Sequence, residues 1–248
     1  LAMAHGLAKQ GRKVEVLSRR RSEAAGFVAA GMLAPHAEGL TGNLLQLGQL
    51  SLKKQSQWIK DIEIDSGMSC GLKKCGIIVP FLDSSQIKTF PTANFGEELN
   101  RNQLEKKIPG IADQWNAALL FPQDGQIDNR RLLMRALEKA CVKLGVKFQE
   151  GIEVLEILHQ SGKFEGVTIR NAEGIKNTIK SKEGILCSGA WSQEILKDLP
   201  IFPVKGQMLS IQAPKEEIKK IIFGPGTYLV PREDGLIIIG ATSEKEAH

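Results

Sequence analysis

The chain has 248 residues, 42% of them hydrophobic and 25% charged, with a net charge of +5 and a pI near 9.0. That balance excludes a disordered chain and leaves room for more than one small core. No apolar run is long enough to cross a bilayer, and with aromatics at 5% and a single tyrosine the scattered lysines have no stacking platform, so neither a membrane nor a nucleic acid is expected as partner.

Cys70, Cys75, Cys141 and Cys187 show no metal-ligand spacing and no His cluster beside them, which points to reduced thiols in a cytoplasmic protein without a bound metal. No targeting peptide is visible at Leu1.

In chain order, Leu1–Gln10 is predicted as a helix already under way, with small residues on one face and Gly11 as its C′ residue. Val14–Leu17 follows as a short strand, ending in the polar run Ser18-Arg19-Arg20-Arg21. A small-residue helix, a glycine turn and a strand with a polar end make up the second half of a βαβ unit. In dinucleotide-binding folds a first strand and a Gly-rich turn precede that helix and cradle the pyrophosphate. The expectation is that this first strand and turn are missing from the chain.

Leu44, Leu47, Leu50, Trp58, Ile59 and Ile62 recur at helical spacing over residues 40–63. Strands are predicted at Gly76–Phe81 and Trp115–Phe121, with a short helix at Asn102–Lys107 between them. Asp128 or Asn129 is the expected cap of a strong helix. Its buried stripe is Leu132, Leu133, Ala136, Leu137, Ala140, Cys141 and Leu144, and Gly145 ends it.

Strands at Val146–Gln149, Val154–Leu158, Phe164–Arg170 and Lys176–Ser181 come next, with hairpin turns between the last three. A buried strand is predicted over Gly184–Cys187, leading into Ser188-Gly189-Ala190. Further strands are predicted at 201–211, 220–223, 227–230 and 235–239, the last two joined by a turn at Arg232–Gly235 that Arg232 and Asp234 are expected to fix. No closing helix follows, so a second truncation is expected near His248.

The fold class expected is mixed α/β: a Rossmann-like nucleotide-binding domain with an inserted antiparallel β-sheet substrate domain. The boundaries are 1–75 and 128–199 for the first domain and 76–127 and 200–248 for the second.

The segment Ala29-Ala30-Gly31-Met32-Leu33-Ala34-Pro35-His36-Ala37-Glu38 is small and apolar where a solvated turn would be polar. Either its backbone lies against a flat ligand or it is a well-packed buried connection.

The run AAGMLAPHAE resembles the flavin-contacting loop of the glycine oxidase branch of the D-amino-acid oxidase family. The stretches ALEKACVKLGVKF, ILCSGAWS, FPVKGQMLSI and YLVPREDGLIIIGAT resemble that branch in the same order, so the likeness spans nearly the whole chain. The resemblance implies FAD as cofactor, with a small amino acid such as glycine or sarcosine and molecular oxygen as reactants. A homo-oligomer is compatible with it. The reaction implied is hydride transfer from the substrate Cα to the flavin, with no side-chain base, then hydrogen peroxide formation. The imine would feed thiamine thiazole synthesis.

Residue by residue, the resemblance places Ala30, Gly31 and Met32 against the flavin, and Ala25 and Gly26 near its phosphates. Val154 would touch the cofactor through its backbone, Ser188 and Gly189 would form a small turn beside it, and Ser18 and Arg19 would face the adenosine ribose. Tyr228 is implied as the active-site tyrosine that places the substrate carboxylate. His36 is expected to be structural, since no Ser, Cys or carboxylate partner is evident. Lys205 is expected to serve its strand rather than the substrate.

Three departures stand out. Ser18 and the arginines replace the family's ribose-gripping acid and by themselves point to a 2′-phosphate, hence NADP. Gly226 stands where glycine oxidases often carry histidine, which leaves substrate preference open. The arginine that pairs with the substrate carboxylate would lie beyond His248. An NADP-linked or other flavin-dependent dehydrogenase, or a non-catalytic subunit of an amine oxidase, are the alternatives. The chain by itself is expected to bind FAD poorly and to be inactive, because the pyrophosphate cradle is absent from it.

Overall fold

The computed structural model describes residues 1–127, 130–214 and 218–245. Along the chain come α1 (Ala2–Lys9), β1 (Glu15–Ser18), β2 (Met32–Leu33), α2 (Gly42–Ser66), β3 (Leu72–Lys73), β4 (Ile77–Phe81), α3 (Ser84–Thr89), β5 (Glu97–Asn100), α4 (Arg101–Lys107), β6 (Ala117–Phe121) and β7 (Gly125–Ile127). They are followed by α5 (Arg130–Lys143), β8 (Lys147–Glu150), β9 (Glu153–Gln160), β10 (Lys163–Arg170), β11 (Lys176–Lys180), α6 (Ser192–Ile195), β12 (Met208–Gln212), β13 (Ile221–Gly224), β14 (Thr227–Pro231) and β15 (Leu236–Gly240). The cap predicted at Asp128 or Asn129 lies outside the described residues.

The chain divides into two compact units. One comprises Leu1–Phe27, Leu137–Lys205 and Ser243–His248; the other comprises Val28–Ala136 and Gly206–Thr242.

In the first unit β1 and β8 pair in parallel, with Ser18 opposite Glu150 at their C-terminal ends. α1 ends as predicted: the Gly11 N–H donates to Ala8 O, and a φ of 77° there suits only glycine. Ala4, Cys141 and Val146 form a small core, packed by Ala8, Val14, Val16 and Phe148. β9, β10 and β11 form a separate antiparallel meander in the order β11-β10-β9, with a bulge between Thr168 and Ile169.

Two expectations fail, one within this unit and one where the chain leaves it after Lys205. No strand forms over Gly184–Cys187, where Ile185 is 53% exposed and Cys187 is also exposed. A strand needs a hydrogen-bonding neighbour, and among the described residues none lies beside this segment. The strand predicted over 201–211 shrinks to Met208–Gln212. Pro203 has no N–H to donate, and Ile201, Phe202 and Val204 stay exposed. Lys205 lies in an isolated antiparallel bridge to Glu244, and its Nζ also pairs with the Glu244 carboxylate at 3.5 Å.

The second unit is built on a seven-stranded sheet in the order β12-β15-β14-β13-β4-β6-β5. Every residue of β4 and β6 is buried. Their sequences, IIVPF and AALLF, are unbroken apolar runs because both faces of the sheet are covered. Ile77, Val79, Phe81, Leu119 and Phe121 pack on one face, and Ile78, Ala118 and Leu120 pack with Leu99 and Leu104 on the other. α4 starts with a capping box in which the Asn100 side chain accepts from Gln103 N–H and the Gln103 side chain accepts from Asn100 N–H.

α2 buries Ile59 and Ile62, but Leu44, Leu47 and Leu50 are 58%, 62% and 49% exposed. The regular spacing that predicts one buried stripe thus holds only for its C-terminal half. β2, β7 and β3 form a small antiparallel sheet of their own, in that order. Among the described residues no helix is long and apolar enough to cross a membrane.

Candidate cofactor and substrate site

In the second unit the Ala30–Met32 bend is fixed by protein on one side. Gly31 has φ 82°, and its carbonyl accepts from Ile127 N–H at 2.8 Å. A Cβ on Gly31 would stand 2.6 Å from Ile127 O, so glycine is required here whether or not a ligand binds. Ala30 is 7% exposed, whereas Gly31 and Met32 are half-buried and keep a partly open face.

Arg232 holds this bend from across the unit. Its Nη1 donates to Gln126 Oε1 at 2.6 Å and to Ile127 O at 2.8 Å, and its Nη2 donates to Ala30 O. The side chain therefore braces the bend rather than its own turn. That turn is closed by backbone bonds between Arg232 and both Leu236 and Gly235, and by Asp234 Oδ1, which accepts from Leu236 N–H as predicted.

Beyond the bend, His36 has the carboxylate partner that the sequence hides. Its Nδ1 lies 2.6 Å from Asp124 Oδ1, and Asp124 Oδ2 accepts from the backbone N–H groups of His36 and Ala37. His36 is 4% exposed and Asp124 is fully buried. Burial lifts the Asp124 carboxyl above its usual range even against those hydrogen bonds. His36 Nε2 faces Gln49, and its ring lies 5.0 Å from that of Phe95. Every face of the imidazole is engaged, which fits the structural role expected of it.

Tyr228, on β14, packs against the same apolar cluster that holds Ala30 and Met32. Its hydroxyl donates to Met208 Sδ at 2.8 Å. Tyr228 and Met208 both pair with Gly240, from opposite sides of β15, and a Cβ there would sit 2.8 Å from Met208 Cγ. Burial, followed by the negative charge of Glu38, raises the phenol above its ordinary value. Gly226, two residues earlier, takes φ 72° in the β13–β14 hairpin, a conformation that a histidine adopts only at a cost.

In the first unit the polar end of β1 is more crowded with acids than its sequence implies. Glu150 accepts from Ser18 Oγ at 2.8 Å and from Arg21 N–H at 2.7 Å. Arg21 lies over Phe148 at 4.5 Å and pairs with both Glu138 and Glu150, while Arg20 pairs with Glu23. Arg20 and Arg21 are thus faced by three carboxylates, which leaves those two arginines little charge to offer a 2′-phosphate. Arg19 is exposed.

Ala25 and Gly26 lie in a 3₁₀ turn, Ala25 exposed and Gly26 half-buried. Val154 is half-buried on β9, opposite Ile169. Ser188 Oγ lies 3.0 Å from Ser192 Oγ, and Gly189, at φ 55°, would carry a Cβ into open space. An acid and a hydroxyl at a strand end, with a side-chain-free turn in the same unit, fit the ribose and diphosphate of an adenine dinucleotide.

The family model for FAD dependent oxidoreductase matches residues 1–248. The chain belongs to that family. Within it, the chain is 36% identical over 239 residues to the bifunctional protein ThiO/ThiG of a Synechocystis species, covering 94% of this chain and 35% of that protein. It is 26% identical over 250 residues to the glycine oxidase of Bacillus licheniformis, covering 97% and 66% respectively. The chain thus spans about a third of the length of ThiO/ThiG relatives. The crystal structure of glycine oxidase from Geobacillus kaustophilus superposes with a TM-score of 0.87 at 24% identity, over 99% of this chain and 69% of that one. That likeness shows that this family member has the glycine oxidase fold, with FAD as the family's cofactor.

The sequence missed Asp124, Arg232 as a brace, and Glu150. Among these only Glu150 has a local signal, as an acid at the end of a strand that neighbours β1.

Proposed function

We propose that this protein oxidises glycine, or another small primary or secondary amino acid, to its imino acid with molecular oxygen as acceptor and hydrogen peroxide as product. The imine would serve thiamine thiazole synthesis in the cytoplasm. The observation that supports the reading is that Met32 and Tyr228 both pack against the apolar cluster that contains Ala30. The names of the relatives support the substrate class.

FAD, when bound, supplies the two-electron oxidation of the amine. Ala30, Gly31 and Met32 would lie along its ring, with Arg232 setting the height of the bend. Ser18, Arg19, Ala25, Gly26, Val154, Ser188 and Gly189 would hold its nucleotide half. The Tyr228 hydroxyl would orient the substrate carboxylate as a neutral donor, which its raised pKa favours. His36 is committed to Asp124 and offers no general base.

The test uses the protein expressed from its complete reading frame and loaded with FAD. Glycine or sarcosine is expected to bleach the flavin band without oxygen and to release peroxide when air is readmitted. Failure of every small amine to bleach the band, or reduction by NADPH instead, would overturn the proposal. The 248-residue chain by itself is proposed to bind FAD weakly, and a tight equimolar complex would contradict that.

A further inference from the structure

At the C-terminal ends of a parallel strand pair, Ser18 and Glu150 stand in register, with Ser18 half-buried and the Glu150 side chain 46% exposed. This is the end of an α/β sheet at which nucleotides bind. The Ser18 proton is already given to Glu150 Oε2, so Ser18 Oγ has only lone pairs to offer a ligand. Glu150 Oε2 also lies 3.0 Å from Arg21 Nη1. Oε1 receives one bond, from Arg21 N–H, and has an acceptor position to spare. Two acceptors side by side suit two neighbouring hydroxyls.

We propose that Glu150, presented from the strand beside β1, is the carboxylate that receives the adenosine ribose of FAD, with Ser18 Oγ as its companion acceptor. One ribose hydroxyl donates to Glu150 Oε1 and the other to Ser18 Oγ. A phosphate on the 2′ position would meet the Glu150 charge instead of a donor, while Arg20 and Arg21 are already paired with Glu23, Glu138 and Glu150. Burial raises the Glu150 carboxyl, but the bonds from Arg21 N–H and Ser18 and the Arg21 charge outweigh it and hold the group below its ordinary range, so it is ionised at neutral pH. The acid that the sequence lacks at position 18 is thereby supplied through space, from 132 residues away.

The proposal rests on FAD being the cofactor, and the test separates the two. The ¹⁵N-labelled chain is titrated with 5′-AMP, 2′-deoxy-5′-AMP and adenosine 2′,5′-bisphosphate, following the amide resonances of Ser18, Arg19 and Glu150. Saturable shifts are expected with 5′-AMP, about tenfold weaker binding without the 2′ hydroxyl, and rejection of the bisphosphate. Glu150→Gln is expected to lose about tenfold for 5′-AMP and to accept the bisphosphate at least as well. Since Glu150 also holds the Arg21 backbone, Ser18→Ala serves as the second variant; it keeps that contact and should weaken 5′-AMP while still rejecting the bisphosphate. Equal binding of 5′-AMP and its deoxy analogue, or a phosphate preference unmoved by Glu150→Gln, would overturn the ribose assignment even if FAD binds. If 5′-AMP moves no resonance although the protein expressed from its complete reading frame holds FAD, the ribose assignment falls alone; if that protein holds no FAD either, the cofactor reading falls with it.

Discussion

β4 and β6 in one unit and the Gly184–Cys187 segment in the other have much the same sequence character, yet they end up differently. Ile77–Phe81 and Ala117–Phe121 are buried throughout, with a hydrogen-bonded strand on each side and apolar layers above and below. Gly184–Cys187, with Ile185, Leu186 and Cys187, pairs with no strand among the described residues and stays largely in solvent. Apolar composition prepares a segment for a sheet. It takes a hydrogen-bonding partner to make one, and partners on both edges to bury it as β4 and β6 are buried.

The contrast can be broken by substitution. Phe121→Ala removes a fully buried ring from the core on one face of the seven-stranded sheet and is expected to cost about 3–5 kcal/mol in a denaturant titration. A cost below about 1 kcal/mol would mean that the layers do not pack as described. Arg232→Ala should come next, at about 2–4 kcal/mol, because Ala30 O, Ile127 O and Gln126 Oε1 lose their donor together. Arg232→Lys should recover little, since an ammonium lacks the guanidinium fork; thermal melts of the two variants decide this.

A smaller effect is expected at the β1–β8 end. The Glu150 pKa is lowered on folding, so its contribution to stability is present above the ordinary value of 4.5 and fades as pH falls through the lowered folded value. The half-exposed site limits it to about 1 kcal/mol or less. Glu150→Gln should therefore lower the neutral region of a stability–pH curve by about 1 kcal/mol or less, leave its acid end nearly unchanged and so flatten the acid limb between them. The smallest change belongs to Ile185→Ser, within about 0.5 kcal/mol, which completes the comparison with Phe121.

Much of the fold was legible because its elements carry their own local signals. α5 shows a 3.6-residue stripe that buries Ala136, Leu137, Ala140 and Cys141, and Gly145 marks its end. The β9–β11 meander announces its turns. β2 and β7 were not legible, being strands of two and three residues that exist only through each other. The site divides in the same way. The unusual texture of Ala29–Glu38 drew attention to the bend, but its fixings, Arg232 and Asp124, lie 202 and 88 residues away from the atoms they hold. No window along the chain contains both partners. Part of what looked like a ligand's imprint at Gly31 is the imprint of Ile127 O.

The sulfur that receives the Tyr228 proton has one more consequence. A thioether is a soft, weak acceptor, so the hydroxyl is parked there rather than captured. A stronger acceptor placed within reach would draw the hydroxyl away from the sulfur at little cost. Gly240, by having no side chain, lets that resting place exist, so a position with nothing to contribute chemically keeps the hydroxyl ready to turn to another partner.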